Sequence, residues 1–218
     1  MSNLRGEQRR DLGAVFGKSI GVFPKKKHKN PGTLLVEGSL ETEYCYHLEF
    51  DKNVIEYESQ PLGFHYYFDN KRRFYTPDFL VTYVDGHQTY VEIKYLEDIE
   101  GNADFERDFP LWQNQAEALG IPLVKITDKF IRKEPFFSNI RHLRRASIYP
   151  KLSSQFKLRA LEIIRMNGGE LYASELMEHT EVSDIGVVYQ LIAEELSLVN
   201  LHKEALGPDV LLKWGTND

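Results

Sequence analysis

The dipeptide Asp85–Gly86 constrains the fold of this chain more than any other feature. On either side of it, Phe79–Val84 and Gln88–Lys94 alternate at period two, the pattern of half-buried strands. Asp-Gly tolerates the positive φ angles of a type I′ turn, so the two runs are expected to form an antiparallel hairpin. Alternation then sorts the second strand: Glu92 and Lys94 share one face, while Val91 and Ile93 share the other. Pro77–Asp78 opens the first strand, and folding the chain back about the turn brings Asp78 within one residue of register with Glu92.

The same reading extends outward. Val54–Glu58, Gly63–Phe68 and Arg72–Tyr75 read as strands, the last two joined by the turn residues at 69–71. Ser39 is placed to cap a helix carrying Leu40, Tyr44, His47 and Leu48 at helical spacing. A helix is expected over Phe105–Leu119, ended by Gly120, followed by a buried strand in Ile121–Thr127 and a basic helix over Asn139–Ser147. The result is an α/β fold, a mixed sheet flanked by helices. Residues 1–33 show no sustained period beyond a short helix near Arg5–Leu12 and read as a basic arm; 34–150 form the main domain. Beyond Pro150 come helical patterns at Gln155–Met166, Ala173–His179 and Ser183–Leu196, then short apolar runs at Leu198–Leu201 and Val210–Trp214. Helices followed by a hairpin give 151–218 a winged-helix-like order.

The net charge of −6 on 218 residues argues by itself against a nucleic-acid partner, but the sum conceals segments. Residues 1–31 hold eight Lys/Arg against two acids, 32–124 six against eighteen, 125–150 seven against two, and 151–218 six against eleven. Two basic blocks therefore flank an acidic middle. Lys25, Lys26, Lys27 and Lys29, with Arg141, Arg144 and Arg145, are the candidate phosphate contacts, which position DNA without reading its sequence. The acidic 151–218 segment is a poor phosphate binder and is expected to contact protein instead. No apolar run reaches membrane-spanning length, the first residues lack a signal peptide's apolar region, and the single cysteine, Cys45, cannot form an internal disulfide. A soluble protein of a reducing compartment is expected.

Two carboxylates converging at a sheet end repel one another unless a divalent cation bridges them, and hard oxygen ligands suit Mg²⁺ or Mn²⁺. A neighbouring lysine can orient or deprotonate a water, or stabilise charge developing on a phosphate. Asp78, Glu92 and Lys94 supply these parts, and Glu41 or Glu37 on the first helix can add a carboxylate. Gln113 and Gln115 on the following helix are weaker candidates, read as solvent-exposed. The seven histidines show no zinc-ligand spacing, Cys45 has no paired base, and no G-x-x-x-x-G-K-[ST] phosphate loop is present.

Pro77–Asp78, then Glu92–Ile93–Lys94, resembles the PD-(D/E)xK restriction-endonuclease-like superfamily. More narrowly, SLETEYCYHLEFDKNVIEYESQP (39–61), RFYTPDFLVTYVDG (73–86) and YVEIK (90–94) together resemble the TnsA-type endonucleases of heteromeric transposons, over about Lys18 to Lys151. The resemblance implies a restriction-endonuclease-like sheet domain and a small winged-helix-like C-terminal domain. It also implies a Mg²⁺-dependent endonuclease, with Mn²⁺ able to substitute, that nicks one strand at each transposon end. Glu41, Asp78, Glu92 and Lys94 carry the catalytic positions, and Asp78, Glu92, Glu41 and Ile93 the metal-binding ones. Some members have Gln where this chain has Glu92. Gln60–Pro61 also matches a family feature, though its simpler role is to end a strand. The implied partners are double-stranded DNA, a DDE-type transposase and an AAA+ ATPase regulator contacted through 151–218. The implied location is the bacterial cytoplasm, at the nucleoid. The alternatives are a catalytically idle adaptor between those partners and a stand-alone restriction or repair nuclease of the same fold.

Overall fold

The structure, a computed structural model, describes residues 20–27 and 32–215. Two units divide the chain, one ending at Arg132 and one beginning at Lys133. The first contains β1 (Ile20–Lys25), β2 (Gly32–Glu37), α1 (Gly38–Phe50), β3 (Val54–Ser59), β4 (Phe64–Phe68) and β5 (Lys71–Tyr75). It continues with β6 (Phe79–Tyr83), β7 (Gln88–Lys94), α2 (Leu96–Ile99), α3 (Ala103–Ala118), β8 (Leu123–Thr127) and α4 (Asp128–Ile131). The main sheet has the order β3-β6-β7-β8. β7 and β8 pair in parallel while the other neighbours are antiparallel, and α3 supplies the crossover that a parallel step needs. This mixed sheet with flanking helices is consistent with the restriction-endonuclease-like architecture implied by the sequence resemblance.

The centre of the sheet explains the burial of the site. In β7 every residue from Thr89 to Ile93 is buried, so both faces of the strand are covered. On one side α1 sets Tyr44 edge-on to Phe79, ring centroids 5.5 Å apart. Elsewhere an aromatic cluster joins Phe64, Tyr66 and Tyr75 of the β4–β5 hairpin to Tyr90, Phe105 and Phe109, with Trp112 of α3 packed against it. Burying each such side chain contributes about 1.5–3 kcal/mol.

Three features of this unit differ from the sequence expectations. β1 lies inside the stretch read as an arm and pairs antiparallel with β2, and its Phe23 is buried. The expected Arg5–Leu12 helix lies outside the described residues. The turn at Asp85–Gly86 is not a two-residue type I′ loop. Gly86 N–H donates to Tyr83 O and Tyr83 N–H to His87 O, leaving a three-residue loop in which Gly86 alone takes positive φ, +86°. Phe79 then pairs with Val91, and continuing that register sets Asp78 opposite Glu92. Finally, α1 starts two residues earlier than a Ser39 cap implies: Glu37 is the N-cap, and the Glu41 carboxylate accepts its backbone N–H at 2.9 Å.

The second unit contains α5 (Phe136–Ala146), α6 (Ser154–Met166), β9 (Glu170–Tyr172), α7 (Ala173–Thr180), α8 (Ile185–Glu194) and β10 (Leu211–Lys213). Its boundary precedes α5 rather than falling at Pro150, because α5 packs on α8. Buried Asn139 of α5 donates to the carbonyls of Leu201 (2.9 Å) and Glu204 (2.7 Å) and accepts from Leu206 N–H (2.8 Å). The two final apolar runs do not form a hairpin. Leu196–Leu198 is a 3-10 turn, and Leu198, Val199 and Leu201 are buried in this unit. β10 instead pairs antiparallel with β9, a strand of three residues too short to show a period. Among the described residues no helix is long and apolar enough to cross a membrane.

Candidate active site

Asp78 sits just before β6 and Glu92 lies within β7, only 6% and 4% exposed. The one-residue shift of the hairpin loop makes them neighbours, and the chain supplies partners for both. Asp78 Oδ2 accepts the backbone N–H of Ile93 at 2.7 Å, and Oδ1 accepts from Gln60 Nε2 at 3.4 Å. The Tyr75 hydroxyl donates to Glu92 Oε2. That phenol is itself fixed by stacking on Trp112, with centroids 4.1 Å apart and planes 14° from parallel.

Lys94 closes the group. Its ammonium lies 2.5 Å from Glu92 Oε1, 3.2 Å from Ile93 O and 3.9 Å from Asp78 Oδ2. Three oxygens from Asp78, Glu92 and the Ile93 carbonyl therefore surround one cation position. That donor set of hard oxygens is what a magnesium or manganese ion takes, so the residues present fit the group. The electrostatics agree. Burial pushes the Asp78 carboxyl up from its ordinary 3.8 to about 7, with the Glu92 charge adding to the effect. Burial works to lower the Lys94 ammonium, but the Glu92 and Asp78 carboxylates outweigh it and the net direction is upward. Burial and the adjacent Glu92 carboxylate also hold the Tyr75 phenol well above its usual range, so it stays a donor.

Glu41 is held at the start of α1. Its carboxylate ties the start of α1 to the Glu37 amide, and its charge also favours the Lys94 ammonium. Among the described residues no three His, Cys, Asp or Glu side chains gather as a metal cluster. The oxygens placed around the Lys94 ammonium are those of Asp78, Glu92 and the Ile93 carbonyl. Glu37, the other helix candidate, is buried as the N-cap. Gln113 donates to the Leu123 carbonyl at 3.0 Å, an edge contact between α3 and β8. Cys45 is fully buried, as a core residue should be.

The candidate phosphate contacts divide. Lys25 Nζ donates to Tyr57 O at 3.2 Å, and Lys27 Nζ donates to Asp51 O, with Glu49 accepting the Lys27 amide at 3.4 Å. Burial lowers both ammonium groups. These lysines fasten β1 and its end to the neighbouring strand and helix. Lys26 is exposed, its amide held by Glu49 at 2.9 Å, and Lys29 lies outside the described residues. In α5, Arg141 and Arg145 are exposed, but Arg144 is 7% exposed because it falls on the helix stripe of Phe137, Ile140 and Leu143. A charge run in sequence does not reveal which of its members face inward.

Sequence reasoning missed Tyr75, Trp112 and the basic hairpin that leads into the site. On β5, Lys71, Arg72 and Arg73 are exposed, and Tyr67 pairs across with Arg72 and His65 with Phe74. The face shared by His65, Tyr67, Arg72 and Phe74 is largely open, with His65 and Phe74 in edge contact at 5.0 Å. The alternation of Arg72–Tyr75 is legible in the sequence, but Lys71 there belongs to the turn residues 69–71 rather than to a basic strand.

Residues 51–128 match the family model described as TnsA-like endonuclease N terminal. The matched span contains Gln60, Tyr75, Asp78, Glu92 and Lys94 and leaves out Glu41. Comparison with curated proteins found no match. The resemblance to TnsA-type endonucleases therefore holds across the segment that builds this site, and supports a nuclease of the transposase type.

Proposed function

We propose that this chain is a metal-dependent DNA endonuclease that nicks one strand at each transposon end, working with a DDE-type transposase. The convergence of Asp78 Oδ2, Glu92 Oε1 and the Ile93 carbonyl on one cation position, with Lys94 among them, carries the reading. Asp78, Glu92 and Ile93 would hold Mg²⁺ or Mn²⁺. When bound, such an ion polarises the scissile phosphate and lowers the pKa of a water. Lys94 then orients the attacking water or offsets charge developing on the phosphate, while Tyr75 keeps Glu92 aimed inward. Glu41 steadies the start of α1.

The exposed cations of the β4–β5 hairpin support a duplex ligand. Arg72 lies on the open face with His65, Tyr67 and Phe74, Lys71 lies on the opposite one, and the same strand ends at Tyr75, which holds Glu92. Exposed Arg141 and Arg145 add further cations. Residues 151–218, where β9 takes the place of the expected terminal hairpin partner of β10, are still read as winged-helix-like and as the docking site of the AAA+ ATPase regulator. Their net acidity supports protein over DNA, as does a groove of about 750 Å³ floored by Met177, Val182 and Ile185 and rimmed by Glu178, Glu181 and Asp184.

Calorimetry with Mn²⁺ on the full chain tests the metal centre without requiring the partner. Wild type should bind, and Asp78→Ala should lose that binding while keeping its fold by circular dichroism. Absence of carboxylate-dependent binding would sink the enzyme and favour the idle adaptor. Where binding holds, undiminished nicking by Asp78→Ala beside the transposase would refute the assigned residues.

A further inference from the structure

Gln60 ends β3 in a conformation that calls for explanation. Its φ is +47°, the left-handed region in which a side chain costs about 1–2 kcal/mol and glycine costs nothing. Its side chain is 3% exposed, so it is not retained for solubility. Its backbone N–H donates to the carbonyl of Asp78 at 2.8 Å, and its amide nitrogen reaches Asp78 Oδ1 at 3.4 Å. The residue thus grips Asp78 by both main chain and side chain. With the amide nitrogen turned to a carboxylate, the amide orientation is fixed, and its oxygen points elsewhere. That oxygen, Oε1, is buried and has no hydrogen-bond partner. A buried acceptor left unpaired costs about 1–3 kcal/mol. A strained backbone, a buried amide and an orphaned oxygen, all one side chain away from a metal-binding carboxylate, are three costs at one position. Strain of this kind is tolerated where function uses it.

We infer that Gln60 is a positioning residue of the metal centre: its N–H groups orient Asp78, and its unpaired amide oxygen is the acceptor for a hydration water of the cation. This rests on the proposed metal site and goes beyond it, since strand termination alone would not require a buried amide. Small hard cations such as Mg²⁺ keep several waters, and those waters need acceptors beyond the direct ligands. Oε1 is such an acceptor already in place.

The test compares wild type, Gln60→Met and Gln60→Glu by Mn²⁺ calorimetry and by urea unfolding in chelator. Gln60→Met keeps the length and removes both polar atoms. It should bind Mn²⁺ about 10–100-fold more weakly, the usual loss for such supporting contacts. In chelator it should be no less stable than wild type, because the orphaned acceptor has gone. Gln60→Glu loses the donor to Asp78 Oδ1 but keeps the backbone grip and an acceptor and adds a charge that attracts the cation, so it should bind at least as tightly as wild type. Unchanged Mn²⁺ affinity in Gln60→Met overturns the inference. So does a weaker affinity accompanied by an equal loss of stability in chelator, which would mark a structural role. If Gln60→Met does not fold, weaker binding by Gln60→Glu overturns it. A wild type that binds no Mn²⁺ removes the underlying reading and this inference together.

Discussion

Replacing Asp78 with asparagine should stabilise the metal-free protein, with a pH dependence set by the carboxyl's burial. In the folded chain the Asp78 carboxyl is raised from 3.8 to about 7, chiefly by desolvation. For an acid with a raised folded pKa, the sign is opposite to that of an ordinary surface aspartate. Below 3.8 the group is protonated in both states and costs nothing. As pH rises, the unfolded chain ionises first, and stability is lost until the folded pKa has been passed. At about 1.36 kcal/mol per unit the full difference is about 4 kcal/mol, and relaxation with water entry brings it to about 2 kcal/mol. The substituted asparagine cannot ionise, yet its amide oxygen can still accept the Ile93 N–H. The Asp78→Asn variant should therefore melt about 4–8 °C above wild type at pH 8 in chelator, with the gap closing toward pH 4. Scanning calorimetry across that range reads it directly. A gain that does not depend on pH, or none at pH 8, would refute the burial argument. Saturating Mn²⁺ should reverse the order, since only wild type gains from binding.

Two further consequences concern the hairpin beside the site. A methyl group on Gly63 would meet Phe74 Cζ at 2.7 Å and Thr76 Oγ1 at 2.8 Å, besides the Tyr75 carbonyl, so Gly63→Ala should cost about 1–3 kcal/mol in urea unfolding; an unchanged midpoint would show that the open end of the β4–β5 hairpin yields easily. The variant Arg72→Ala should weaken DNA binding to any sequence alike and lower the slope of log K against log salt by about 1, as fluorescence anisotropy in a salt series would show; an unaltered slope would remove the open hairpin face from the interface.

Much of the site was legible because β-alternation and a tight turn are local. β7 runs Gln88–Lys94, as its period implies, and Glu92 meets Lys94 on one face. What remained illegible depends on distant partners. The exact register came from a three-residue loop that Asp-Gly does not announce. Arg144 reads as basic surface until α5 finds α8, which turns its stripe inward. β1 escapes notice because glycine and proline interrupt its pattern, and only the pairing with β2 makes it a strand. β9, at three residues, is defined wholly by β10. Glu41 illustrates the remaining gap. Its position in the motif was clear, but the Glu37 amide that occupies it follows from where α1 begins.

Trp112 has a use beyond packing. The chain has two tryptophans, Trp112 in the first unit and Trp214 in the second, so each unit carries its own intrinsic fluorophore. Trp112 lies against Tyr75, and the Tyr75 hydroxyl grips Glu92. Any rearrangement of that carboxylate is relayed through one phenol ring to an indole that emits light. In a Trp214→Phe background, the emission of the remaining tryptophan becomes a built-in gauge of the carboxylate pair, readable by stopped flow on the unlabelled protein.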